Sequence, residues 1–117
     1  MAEIERQMLE DDIVAVTIGG EFDLADESRT ELAMDFVLGL EIPALLLDLT
    51  ECQYIDSTGL RTLIRSHDRA QRAGTRVAIA GSGPQVHRMF EITGLKERLP
   101  IFDDRDEALD SIRVAPG

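Results

Sequence analysis

Apolar positions in this chain come in two kinds of run that take turns: short stretches that alternate or are continuous, and longer stretches that repeat every three to four residues. Ile4–Leu9 reads as a weak strand and Ile13–Ile18 as a strong one rich in β-branched residues, with Glu10-Asp11-Asp12 as the polar turn of a hairpin. Gly19-Gly20 ends the second strand. A helix follows, with Asp23 or Asp26 as its cap and Asp26-Glu27 placing negative charge in its first turn. Leu32-Ala33, Phe36-Val37 and Leu40 form its expected inward stripe, and Gly39 and Pro43 bracket its end. The stretch from Ala44 opens with a run of apolar residues, introduced by Pro43 and too short for a helix, so it reads as a buried central strand. A half-polar crossing over 50–55 leads to Asp56-Ser57-Thr58-Gly59, and then Leu60, Leu63, Ile64, His67 and Ala70 recur at helical spacing up to about Ala73, with Gly74 as the stop.

The remainder keeps the alternation. Arg76–Ala80 is a strand, Gly81-Ser82-Gly83 a turn, and Pro84 opens a short helix with Val86, Met89 and Phe90 inward. Gly94 stops that helix, with Leu95 placed for the apolar contact of a Schellman ending. Ile101-Phe102 is a brief edge strand, and Asp104 with Glu107 fits a capping box for a last helix that turns Ala108, Leu109 and Ile112 inward. Strands alternating with helices after a hairpin imply an α/β domain with a mixed sheet of four to five strands. At 117 residues the chain is expected to form one domain over 1–117, with 113–117 a frayed tail.

Charge narrows the picture more than composition does. The net charge is −11, and residues 1–58 hold 15 acidic and 2 basic residues while 59–117 hold 8 and 10. Such a surface does not suit a nucleic-acid binder, which needs basic groups to meet phosphates. No apolar run approaches the roughly 18 residues of a membrane span. An acidic start and a lone cysteine, Cys52, make a cytoplasmic location without disulfides the expectation.

Ser57 is the candidate for chemistry, because it lies where a strand-loop gives way to a helix. Its hydroxyl can cap that helix, and a phosphate attached there would meet the positive end of the helix dipole. Gly59 in the same turn has no side chain to obstruct a partner, and Gly59→Ala is expected to raise helix stability by something under about 1 kcal/mol. Catalysis is a poor fit. His67 lies along the same helix some two and a half turns beyond Ser57, at about 1.5 Å per residue, out of reach as a base, and Cys52, His67 and His87 form no metal-ligand cluster. No catalytic residue, metal ligand or cofactor is therefore assigned. Asp48 invites comparison with a phosphorylated receiver aspartate, but no paired acids follow the first strand and Lys96 is the only lysine, so Asp48 is expected at the polar end of the sheet. Arg61, Arg65 and Arg69 make one stripe with Arg72 beside it. The stripe reads either as a solvated face or, at Arg61, as a group close enough to meet a phosphate on Ser57 or an acidic partner. Ser57 and Thr58 share the first turn, and local physics does not choose between their hydroxyls.

The apolar strand, Asp48-Leu49-Thr50, the crossing and Ile55-Asp56-Ser57-Thr58-Gly59-Leu60 together resemble the signature of the STAS domain, the family named for sulfate transporters and anti-sigma-factor antagonists. Gly20-Glu21-Phe22-Asp23, Pro84–Phe90 and Thr93-Gly94-Leu95 agree in the same order, so the resemblance spans nearly the whole chain. It implies a sheet with helices largely on one face. It also implies an anti-anti-sigma factor that, when unphosphorylated at Ser57, binds an anti-sigma serine kinase and releases a sigma factor. By the resemblance Ser57 is the modified hydroxyl and Asp23 lies at the edge of the partner site; with Asp56, Thr58, Gly59 and Arg61, which neighbour Ser57 in sequence, they make up the expected partner-binding residues. Asp23 keeps two readings, helix cap and edge of the partner site. Cys52 and Tyr54 stand where the family commonly has Val and Phe, which suits a buried thiol and a ring whose hydroxyl reaches the surface. A weak nucleotide contact and a monomer or weak dimer are compatible with the same picture. The alternative within the family is a scaffold subunit of a stressosome-like or lipid-transport assembly with no sigma-factor partner.

Overall fold

The computed structural model describes residues 1–113; most of the tail expected to fray thus lies outside the described residues. Strands β1 (Glu3–Met8) and β2 (Ile13–Phe22) form the expected antiparallel hairpin, with Ile4 opposite Ile18 and Met8 opposite Val14. Helix α1 (Glu27–Gly39) then returns the chain to β3 (Ala44–Asp48), which pairs with β2 in parallel, Val14 beside Leu45 and Val16 beside Leu47. β4 (Cys52–Ile55), α2 (Ser57–Arg72), β5 (Arg76–Ala80), α3 (Pro84–Ile92), the single turn α4 (Leu95–Arg98), β6 (Ile101–Phe102) and α5 (Arg105–Ile112) complete the order. The main sheet runs β1-β2-β3-β5-β6, with β3 at its centre and β4 attached to β2 outside that path.

β3 is buried at every position, which explains its continuous apolar run: it is covered on both faces. Alternate residues divide the core into two layers. Val14, Val16, Ile18, Leu45, Leu47, Val77 and Ile79 face Met34 and Val37 of α1, Leu60 and Leu63 of α2, and Val86 and Phe90 of α3. Ile13, Ala15, Ala44, Leu46, Ala78 and Ala80 face Ala108, Leu109 and Ile112 of α5. Alanine dominates the second layer, so α5 alone closes that side. The helices thus lie largely on one face, as expected.

Three expectations need correction. The half-polar crossing is a strand: β4 pairs with β2 in parallel, Gly20 beside Cys52 and Phe22 beside Ile55, and raises the sheet to six strands. It shows no strand alternation because its register with β2 shifts between Gly20 and Glu21, which sets its buried residues, Cys52 and Ile55, three positions apart. The stripe assigned to α1 is also partly wrong. Val37 is buried, but Leu32, Phe36 and Leu40 are exposed, and the inward row is Thr30, Met34 and Val37. Apolar residues surround this helix, and Thr30 turns inward because its hydroxyl donates to the Asp26 carbonyl at 2.8 Å. Phe36 instead lies beneath the Arg6 guanidinium, 3.9 Å from the ring centroid.

Asp48 is the third correction. It is buried rather than at a polar end, and it is fully engaged. Its Oδ1 accepts from the Thr50 amide at 2.9 Å and the Thr50 hydroxyl at 2.6 Å, and its Oδ2 accepts from Arg105 at 2.6 Å. One carboxylate therefore fixes the turn after β3 and ties α5 to the sheet. Arg105→Ala should lower the unfolding free energy by about 2 kcal/mol, because it leaves a buried carboxylate short of a charged donor. Urea titration followed by circular dichroism measures this, with a lower midpoint and an unchanged slope as the expected result.

Candidate functional site

The end of β2 builds the platform for Ser57. Gly20 adopts a left-handed conformation, φ +83°, and its amide donates to the Glu51 carbonyl at 3.0 Å, which starts the pairing with β4. Two residues on, the Phe22 carbonyl accepts from the Asp56 amide at 3.3 Å. Asp56 is in extended conformation, its Oδ1 accepts from the Gly59 amide at 2.8 Å, and its carbonyl accepts from the Leu60 amide at 2.9 Å. Asp56, not Ser57, is therefore the N-cap of α2. Ser57 stands at the first helical position, exposed, with its hydroxyl released from the capping role assigned to it above. Thr58 is half-buried, and its carbonyl accepts from the Thr62 hydroxyl at 2.9 Å.

Gly59 faces the opposite way from the one expected. It is buried, and a Cβ on it would lie 2.5 Å from the Phe22 carbonyl oxygen and 2.8 Å from Ile55 Cγ1. The missing side chain lets α2 seat on the end of β2; it is not a gap left for a partner. Gly59 thus leaves the group of surface residues, and the small stabilisation expected from Gly59→Ala reverses.

Asp23 serves a structural role and borders the site as well. Its Oδ1 accepts from the Ala25 amide at 3.0 Å, and its own amide donates to Asp26 Oδ2 at 3.1 Å, so the two acids cap one short 3-10 turn reciprocally. Asp26 is buried, where its Oδ1 accepts from the Ala2 amide at 2.9 Å and from Arg29 at 2.8 Å. Because Asp23 follows Phe22, whose carbonyl holds Asp56, the Asp23 and Asp56 backbones meet at one corner of the sheet. The arginine stripe divides. Arg65 reaches Glu27 at 3.2 Å and Arg69 pairs with Asp35, so both fasten α2 to α1. Arg61, one turn beyond Ser57, is exposed and has no ion pair among the described residues.

The two histidines are not near this chemistry. His67 is buried within α2, and His87 on α3 contacts Glu91 and Asp103. Cys52 is buried, its thiol donates to the Tyr54 carbonyl at 3.2 Å, and burial pushes the thiol pKa up against the opposing effect of backbone hydrogen bonds. The Tyr54 ring is exposed. Two residues escaped sequence reasoning. Leu24, exposed beside Asp23, belongs to no periodic run. Gln85 bonds the backbone of Ile55 from α3, a contact across thirty positions that no local pattern announces.

A profile of the STAS domain matches residues 7–108. The chain belongs to the STAS domain family. Among its relatives, the anti-sigma F factor antagonist of Paenibacillus polymyxa is 26% identical over 103 residues, covering 87% of this chain and 88% of that protein. An anti-sigma-B factor antagonist of Listeria monocytogenes is 29% identical over 98 residues, covering 84% and 86%. In three dimensions the chain is similar to the crystal structure of an anti-sigma factor antagonist from Mycobacterium paratuberculosis, with a TM-score of 0.87, 25% identity, and 97% and 96% of the two chains covered. Among the described residues no helix is long and apolar enough to cross a membrane.

Two substitutions separate the roles in the first turn of α2. Gly59→Ala should destabilise by about 1–3 kcal/mol, because a backbone carbonyl must move to admit the methyl group and this outweighs the better helix propensity of alanine. Asp56→Ala should cost about 1 kcal/mol through loss of the cap. Ser57→Ala should change the urea midpoint least of the three, since its hydroxyl caps nothing.

Proposed function

We propose that this protein is an anti-sigma factor antagonist whose affinity for an anti-sigma serine kinase is switched by phosphorylation of Ser57. In the unphosphorylated state it binds the kinase and frees a sigma factor, acting in the cytoplasm as a binding protein rather than an enzyme. The observation that carries the reading is the division of labour at the start of α2: Asp56 takes the capping bond, and Ser57 is left exposed at the first helical position. The relatives named as anti-sigma factor antagonists supply the class of partner.

The physics of such a switch is local. A phosphate adds about −1.5 to −2 charge at neutral pH, and the dipole of the sixteen-residue α2 accepts it at little cost to the fold. A docked partner meets that charge beside Asp56 and Asp23. Arg61, unpaired within the described residues, is the cation placed to answer either the phosphate or an acidic group of the partner. Thr58 is half-buried, which favours Ser57 as the acceptor.

Incubation with the anti-sigma serine kinase of the host and ATP, followed by mass spectrometry, tests the reading. Phosphate is expected on Ser57 alone, and Thr58→Ala should still be labelled. Ser57→Ala should hold the kinase constitutively, whereas Ser57→Asp should bind it at least tenfold more weakly, a difference of about 1.4 kcal/mol. Label on Thr58 with Ser57 bare ends the assignment. Equal affinity for Ser57→Ala and Ser57→Asp leaves a STAS scaffold whose serine is not a switch.

A further inference from the structure

β4 is paired along one edge only, to β2, and that pairing is irregular between Gly20 and Glu21. Its other edge would leave the backbone of the buried residue Ile55 without partners, a costly arrangement for an amide and a carbonyl away from water. Gln85 fills both positions. Its Oε1 accepts from the Ile55 amide at 2.8 Å and its Nε2 donates to the Ile55 carbonyl at 2.9 Å, so one side-chain amide does the work of a neighbouring strand. The close approach of α3 makes this reach feasible. Gly83 caps α3 so near β4 that a Cβ there would lie 2.8 Å from the Cys52 carbonyl oxygen.

Ile55 is the last residue of β4, and Ser57 begins α2 two positions later. On the β2 side the junction is held by a longer bond, Asp56 amide to Phe22 carbonyl at 3.3 Å. The two shorter bonds come from Gln85. We infer that Gln85 is a positioning residue for Ser57: it clamps Ile55 between β2 and α3 and so sets where the Ser57 hydroxyl is presented to an incoming phosphoryl donor. This rests on the reading of Ser57 as the phosphoacceptor. It adds α3, an element outside the signature around Ser57, to the parts that govern the switch.

Gln85→Leu removes both bonds at similar volume. Gln85→Glu keeps an acceptor for the Ile55 amide but sets a carboxylate against the Ile55 carbonyl. Once that carboxyl is protonated it regains a donor and restores the pair. Phosphorylation of Ser57 by the host anti-sigma serine kinase should therefore show kcat reduced about tenfold in Gln85→Leu with KM within about twofold, since orientation and not docking is lost. For Gln85→Glu the ratio of its kcat to that of wild type at the same pH should rise as pH falls. Circular dichroism at each pH should show Gln85→Glu equally folded across the range, so that the recovery reports orientation of Ser57 and not refolding.

Amide NMR on the isolated protein supplies a readout without a partner. Gln85→Leu should speed exchange of the Ile55 amide and move the Ser57 and Gly59 resonances while leaving α5 unchanged. Wild-type kcat in a folded Gln85→Leu, a flat pH ratio for Gln85→Glu, or unmoved Ser57 resonances overturns the inference. Absence of label on wild-type Ser57 overturns the phosphoacceptor reading instead, and the NMR arm then still decides whether Gln85 sets the junction.

Discussion

A strand of ten residues has two edges of backbone donors and acceptors to satisfy, and β2 does so with three partners. One edge takes β1 in antiparallel register. The other takes β3 as far as Thr17 and, past the bend at Gly20, takes β4. The change of partner places the end of β4, and hence the start of α2, directly over Phe22. Capping by Asp56, burial of Gly59 and exposure of Ser57 all follow from that handover. Without it the apolar strand β3 would still form a core, but nothing would hold the serine at the sheet's corner.

The acidic first half of the chain is better ordered than its net charge suggests. Asp26 and Asp48 are buried and saturated with donors, and Glu27, Glu31 and Asp35 face arginines of α2. Much of the charge counted in the sequence is thus neutralised inside the fold or along the α1–α2 seam. Asp23 and Asp56 at the margin of the site accept from backbone amides rather than from arginines among the described residues. The local field there is set by two capping acids and by Arg61, which has no ion pair among the described residues, rather than by the global charge.

The elements most readable from sequence were those whose periodicity and stop signals agree. The amphipathic pattern from Leu60 to Ala70 ends at Gly74 with φ +77°, and Gly94 with φ +71° closes α3 as its sequence suggests. What could not be read was decided by contacts distant along the chain. Nothing local tells Leu32, Phe36 and Leu40 from Met34 and Val37, because the choice depends on which row meets the sheet. Nothing local marks Cys52–Ile55 as a strand until Gly20 is bent to receive it. At the site, the serine was legible as the start of a helix, yet its hydroxyl was credited with a bond that the preceding aspartate makes. Gly59 was read outward when it faces the Phe22 carbonyl. Gln85 lies in the Pro84–Phe90 stretch that resembles the family, but nothing in that stretch announces its pairing with Ile55.

The turn between β3 and β4 sets the length tolerance of this part of the chain. Leu49, Thr50 and Glu51 are each anchored: the Leu49 amide on the Ala80 carbonyl, the Thr50 amide on Asp48, and the Glu51 carbonyl under the Gly20 amide. An inserted residue here has no slack to enter. It would shift β4 by one position, move Cys52 out of its buried place and drive Tyr54 toward the place of Ile55. The hairpin turn at 9–12 and the exposed Asp103-Asp104 link carry no such requirement on Ser57. Additions or losses of residues should therefore accumulate at those two places over evolutionary time, while the spacing from Asp48 to Ser57 stays constant in length even where its side chains drift.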